Sequence, residues 1–115
     1  MKIRKGEVWL ADLNPQIGTE PGKIRPVVAV QSDLLNDIHP STIVCPISTA
    51  VQPKADVLRV HLRPEEAGLT KKSDILVDQI RAIDNRRLIK KLGILSSESR
   101  KKLKENISIV LDIET

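Results

Sequence analysis

Arg25-Pro26-Val27-Val28-Ala29-Val30 is the most apolar run of the chain, and it opens on an arginine followed by a proline. Four consecutive apolar residues, three of them β-branched, suit a strand covered on both faces rather than one that alternates between core and water. Pro26 is tolerated because the first position of a strand needs no ladder donor. Arg25 is therefore expected at the mouth of a rigid strand. On its N-terminal side lie residues 15–24, with Pro15, Gly18, Pro21 and Gly22, which read as a loop too long for a tight hairpin. Before that loop, Glu7-Val8-Trp9-Leu10-Ala11-Asp12-Leu13 reads as a strand closed by the turn signal Asn14-Pro15.

Downstream, Ser41 to Ile47 makes a third strand and Asp56 to Leu62 a fourth, in which Arg59 and His61 alternate with Val60 and Leu62. Ser73 to Val77 and Gln79 to Ile83 read as two further strands, or as one long strand bent near Asp78. Asn85-Arg86-Arg87-Leu88 reads as a short helical turn. Only the end of the chain has a helical period. Ser96 is an N-cap, Glu98 sits in the first turn, and Leu103, Ile107, Val110 and Leu111 form one apolar face. Short strands at close spacing followed by one helix predict a mainly β fold, a small curled antiparallel sheet or barrel with a C-terminal helix.

The 115 residues fit a single domain, residues 1–115, and 40 % hydrophobic residues supply a core without disulfide or metal staples. No apolar run approaches membrane-spanning length, and Met1-Lys2-Ile3-Arg4-Lys5 leads into no apolar signal core, so a cytoplasmic protein is expected. One cysteine and two separated histidines give no zinc spacing, and no metal or other cofactor is expected. Cys45, inside an apolar strand, reads as a buried thiol.

The net charge is +4, and its distribution is uneven. Residues 71–104 hold eleven Lys and Arg against four acids, whereas residues 105–115 carry three acids and no base. Such a basic half suits an anionic partner, or simply a solvated face. Trp9 is the only aromatic residue, which rules out a platform on which successive bases stack. Contacts to a nucleic acid would have to rest on hydrogen bonds, guanidinium planes and charge.

Familiar catalytic layouts are missing. There is no Gly-rich phosphate loop, no metal-binding His pair and no Gly-x-Ser-x-Gly elbow. What remains are polar residues at strand ends. Arg25 can hold a phosphate or pair with Asp12 or Glu20. Ser48 and Thr49 can donate hydroxyls or cap a turn. Arg81 can face a ligand or open solvent.

Gly6-Glu7-Val8-Trp9-x-Ala11-Asp12-Leu13-x-Pro15-x-x-Gly18-Thr19-Glu20, then Arg25-Pro26-Val27-Val28, closely resembles the opening of the MazF/PemK family, the endoribonuclease toxins of type II toxin–antitoxin systems. Pro46-Ile47-Ser48-Thr49 is similar to that family's Pro-apolar-Thr strand end, and Asp78-Gln79-Ile80-Arg81-Ala82-Ile83-Asp84 to its Asp-Gln-x-Arg-x-Ile-Asp strand. Arg87-Leu88 and Gly93 continue the likeness, which spans nearly the whole chain. The resemblance implies an SH3-like, PemK-type β-barrel that works as a homodimer. It implies cleavage of single-stranded mRNA at short motifs without a metal, the ribose 2′-hydroxyl attacking to leave 2′,3′-cyclic phosphate and 5′-OH ends. It also implies inhibition by a cognate antitoxin protein whose acidic tail covers the RNA groove.

Carried onto this chain, the family's key arginine falls on Arg25 and its hydroxyl partner on Ser48, where threonine is usual; these are the expected catalytic pair. Glu20, Thr49, Asp78, Gln79 and Arg81 are the expected RNA contacts. In one branch an aspartate matching Asp78 is assisted by an Arg and a His, whose places here are taken by Leu76 and Thr19. Two rival functions share the resemblance. A gyrase-poisoning toxin on the same barrel carries a Trp-Gly-Ile terminal signature, where this sequence has Ile113-Glu114-Thr115. An RNA-binding member without cleavage activity is the other.

Overall fold

The structure, a computed structural model, describes residues 2–114. Seven strands follow in order: β1 (Glu7–Asp12), β2 (Ile24–Ala29), β3 (Ser41–Ser48), β4 (Arg59–Leu62), β5 (Ser73–Leu76), β6 (Arg81–Asp84) and β7 (Leu88–Ile94). The helix α1 (Ser97–Val110) closes the chain, and short 3₁₀ turns occupy Glu66–Gly68, Val77–Gln79 and Asn85–Arg87. The strands pair antiparallel in the order β4-β5-β3-β2-β1-β7, with β6 also beside β3. The expected mainly β fold with a C-terminal helix is what forms.

Periodicity explains the packing. In β2, Val28 points to one side while Val27 and Ala29 point to the other; in β3, Cys45 and Ile47 oppose Val44. The first side joins Val8, Val60, Leu62, Ile75, Val77 and Leu95 in a core that α1 covers with Leu103, Ile107 and Val110. The second side joins Ile3, Trp9, Ala11, Leu13, Ile83 and Leu88 in another layer. The middle of the sheet is thus buried on both faces, as the unbroken apolar run of β2 requires. Burial pushes the Cys45 thiol up to about 12, so it is inert at neutral pH.

The helix begins where the cap predicts, with Ser96 Oγ accepting from Ser99 N–H at 3.1 Å. Its fully buried Asn106 donates to the backbone carbonyls of Asp56 and Arg59 at 3.0 and 3.2 Å. This is why the fourth strand starts at Arg59 rather than at Asp56: α1 and, through Leu58 O, Val77 N–H take the carbonyls that a longer ladder would use.

Two further differences separate pattern from structure. Ser73 to Ile83 is two strands, not one, because Val77–Gln79 makes a single 3₁₀ turn that moves the pairing along β3 from residues 47–48 to residues 41–44. The strand β7 had no period-2 signature. Its exposed Ile89, Lys90 and Lys91 form a charged outer run, and Lys91 Nζ bridges to the buried Glu7 at 2.7 Å across the β1–β7 pair. Gly93 lets β7 pass close to the Glu66–Gly68 turn, since a Cβ there would stand 2.5 Å from the Ala67 carbonyl carbon.

Candidate active site

The two prolines of the central strands shape the site. The β2–β3 ladder runs Ala29↔Val44, Val28↔Cys45, Val27↔Pro46 and stops there. Pro46 and the adjacent Pro26 have no N–H to continue it, so the strands are free to part beyond them. Arg25 and Ser48 each stand two residues beyond the last of these pairs, on adjacent strands and, by alternation, on the same face of the sheet.

Arg25 pairs with neither Asp12 nor Glu20. Its Nε donates to the Gly22 carbonyl at 2.9 Å, which anchors the guanidinium on the loop and leaves both terminal nitrogens without a protein acceptor. They are not buried, because the one buried side-chain polar atom without a partner among the described residues is Glu20 Oε2. Ser48 Oγ accepts from Ala50 N–H at 3.1 Å, a turn cap that leaves its O–H free to donate outward. The two sequence readings of Ser48, cap and donor, are therefore compatible.

The same face continues beyond Ser48. The β3–β5 pair places Ser48 against Asp74, and the β4–β5 pair places Asp74 against His61. A row of paired residues thus crosses three strands in the order Ser48, Asp74, His61, with Arg25 on the same face of β2 beyond the end of its ladder. Asp74 has no exposed side-chain surface. Its Oδ1 meets His61 Nδ1 at 2.7 Å, and its Oδ2 accepts from Gln52 N–H at 2.8 Å and from Arg59 Nη1 at 3.1 Å. Burial alone would raise the Asp74 carboxyl; the Gln52 N–H, His61 and Arg59 outweigh it, and the group lies below its ordinary value. Because a carboxylate only accepts, His61 Nδ1 carries the proton and Nε2 faces outward.

Asp74, His61 and Arg59 were not among the residues expected from the sequence. The available signal was Asp74 itself, an acid in the middle of an apolar strand, which is costly unless donors surround it.

The other expected residues fall into three places. Asp78 and Gln79, on the 3₁₀ turn, line a cleft of about 300 Å³ with Thr19 and Pro21 from the β1–β2 loop and with Gln52, Arg59 and Leu76. The Leu76 and Thr19 positions therefore do converge on Asp78, and the cleft's guanidinium comes from Arg59 instead. Thr49, exposed just past the end of β3, lines with Ser48, Thr70 and Lys71 a small cleft of about 100 Å³. Arg81 is half-buried on the rung opposite Val44, four residues back along β3 from Ser48 and on its face, but outside the cleft.

The loop that overhangs this surface is held at its base. Arg87 Nη1 donates to the carbonyls of Asp12 and Asn14 at 3.0 and 2.6 Å, and Leu13 N–H donates to Lys23 O at 2.8 Å. Glu20, in the same loop, is half-buried with Oε2 unpartnered. An open guanidinium fork and a hydroxyl, beside a cleft that holds the Arg59 guanidinium and a loop tied at its base, make a surface suited to phosphodiester oxygens.

A small, two-faced antiparallel sheet closed by one C-terminal helix is the architecture of this chain. Residues 4–111 match the family described as PemK-like, MazF-like toxin of type II toxin–antitoxin system, and the chain belongs to that family. It is 36 % identical over 111 residues to Endoribonuclease EndoA of Bacillus subtilis, covering 96 % of each chain. It is 39 % identical over 113 residues to Endoribonuclease MazF of Staphylococcus saprophyticus, covering 98 % of this chain and 94 % of that one. Its fold is similar to MazF from Deinococcus radiodurans, with a TM-score of 0.82 at 21 % identity over 98 % of this chain and 99 % of that one. It is also similar to a mycobacterial endoribonuclease solved in complex with its cognate antitoxin, with a TM-score of 0.77 at 17 % identity over 99 % and 97 % of the chains.

Proposed function

We propose that this protein is an endoribonuclease toxin that cuts single-stranded mRNA at a short sequence motif, using the substrate's own 2′-hydroxyl as nucleophile. What supports the reading is that the free fork of Arg25 and the free hydroxyl of Ser48 lie on the same face of adjacent strands, each two residues past the last β2–β3 pair. Attack of the 2′-oxygen on the adjacent phosphorus, with its proton passing to water, forms the 2′,3′-cyclic phosphate and expels the 5′-oxygen, which takes up a proton from water to leave as a 5′-hydroxyl, so the protein need contribute no nucleophile. Its task is to neutralise the dianionic phosphorane. Arg25 suits this because its charge persists at every working pH, and its planar fork matches two phosphate oxygens. Ser48 donates its hydroxyl hydrogen to the same phosphate. Glu20, Thr49, Asp78, Gln79 and Arg81 contact the RNA on either side, with Asp78 and Gln79 at the cleft floor and Glu20 on the overhanging loop.

The assembly is a cytoplasmic homodimer. Leu34 and Ile38, 85 % and 82 % exposed on the β2–β3 connection, are the kind of apolar surface a second copy would cover. The antitoxin would be an acidic segment complementary to the basic half of the chain, competing with RNA for the Arg25 face.

Incubating the purified protein with a long single-stranded RNA in EDTA tests the reading. Discrete fragments ending in 2′,3′-cyclic phosphate support it; a gel shift without fragments would reduce the protein to an RNA binder. Within the same assay, Ser48→Ala is expected to slow cleavage about tenfold or more, and Thr49→Ala less, because Ser48 is held in the β3 ladder on the face of Arg25 whereas Thr49 stands past the strand's end. The opposite order would exclude Ser48 as the hydroxyl partner.

A further inference from the structure

Asp74 is too enclosed to touch a ligand, yet it gathers three donors, two of them from cationic or titratable side chains on β4. Its physical effect is to fix those side chains on the face that already holds Arg25 and Ser48. Arg59 is the more constrained of the two. Its Nη1 donates both to Asp74 Oδ2 and to the Ala50 carbonyl at 3.0 Å, and its backbone carbonyl is tied to Asn106 of the helix. With one nitrogen so occupied, Nε and Nη2 remain. They have no protein acceptor and are not buried, and Arg59 lines both the 300 Å³ cleft with Asp78 and Gln79 and a second cleft of about 430 Å³ against α1. The Nε–Nη2 edge is the guanidinium edge that binds two oxygens of one phosphate in parallel. Ordinary exposed arginines lose rotamer freedom when they bind; this one has already lost it, with only 16 % of its side chain exposed.

We propose that Arg59 is a second phosphate clamp of the RNA groove, gripping a neighbouring phosphate rather than the scissile one, with Asp74 and His61 as its positioning residues. The inference rests on the nuclease reading above for the identity of the ligand. The row geometry gives the spacing: Arg25 and Ser48 stand on adjacent strands, whereas Arg59 lies on β4, two strands away from Ser48, which is roughly 10 Å. Arg25 is one strand farther still, so the two guanidinium groups are placed to grip successive phosphates. The RNA strand would then run from β2 toward β4 across the sheet, passing over the cleft that Asp78 and Gln79 line. His61 closes the far side of Asp74, so the carboxylate cannot rotate away from Arg59.

The experiment uses the full chain and a single-stranded RNA carrying 2′-deoxyribose at the cleavage position, so that binding is read without turnover, alongside cleavage of the unmodified RNA. Arg59→Gln is expected to weaken binding about tenfold and to reduce the slope of log K against log salt by about 1, with the loss of cleavage falling mainly on KM. Arg59→Lys keeps the charge beside Asp74, and with it the fold, while discarding the fork. It is expected to keep the salt slope yet bind several-fold more weakly than the wild type. His61→Gln is expected to act in the same direction as Arg59→Lys but less. If Arg59→Lys and Arg59→Gln both bind with wild-type affinity and slope while the wild type cleaves RNA, the clamp is wrong and the nuclease reading stands. If the slope changes as expected but no variant, nor the wild type, cleaves, the clamp stands and the nuclease reading falls. Loss of kcat at unchanged KM would overturn the clamp by placing Arg59 at the reacting phosphate.

Discussion

Arg25→Ala is expected to lower the rate of RNA cleavage by about 10²–10³-fold while leaving the circular dichroism spectrum and melting temperature near those of the wild type. The first half of this expectation follows from charge. A phosphorane carries two negative charges at the top of the barrier, and a preorganised guanidinium contributes more there than to the singly charged ground state. The second half follows from the contacts Arg25 makes. It has one hydrogen bond, from Nε to the Gly22 carbonyl, and no salt bridge, so truncation strands no buried charge. Single-turnover cleavage of a labelled RNA measures the effect. A variant within tenfold of the wild type would take Arg25 out of the chemistry. Arg25→Lys is expected to recover only part of the loss, because a point charge cannot bond two oxygens at once.

Asp74→Ala is expected to destabilise the fold by about 3–5 kcal/mol, the range for removing one partner of a buried ion pair. The Gln52 N–H and Arg59 would each lose an acceptor in a place with little access to water. Urea unfolding at neutral pH measures it, and a change under about 1 kcal/mol would show that water replaces the carboxylate. Asp74→Asn keeps the shape and one acceptor and is expected to cost less. The wild type and the Asn variant should also differ in acid. The Asp74 carboxyl lies below its unfolded value of about 3.9, so its contribution is full above that pH and fades as pH falls through the folded value. Stability of the Asn variant should therefore fall less steeply below about pH 4. The slope will not vanish, because Glu7, Asp33, Asp37 and Asp84 are also depressed, Asp84 to about 2 by its hydrogen bonds with Arg86.

How much of this was readable beforehand differs from element to element. β1, β2, β3 and α1 follow their side-chain periods to within a residue or two, since each has one uniform environment along its length. The side-chain pattern carries β4 three residues beyond its actual start because α1 claims the backbone of residues 56 and 59, a contact made by Asn106 some fifty positions away. β7 escaped notice because Lys90 and Lys91 face solvent and Glu7 in turn, and an edge strand with one wet face and an irregular register has no alternation to detect.

The proposed catalytic pair shows the division most clearly. Their places at strand ends make Arg25 and Ser48 candidates, and the likeness of the surrounding motifs to the MazF/PemK family singles them out, since both signals are local to the chain. The row that joins them to Asp74, His61 and Arg59 depends on the register of three strand pairs, and register is a sum of contacts across the whole sheet. Moving any one strand by a single residue would turn its side chains to the opposite face. Chain composition therefore dictated which groups were available, and folding dictated which of them meet.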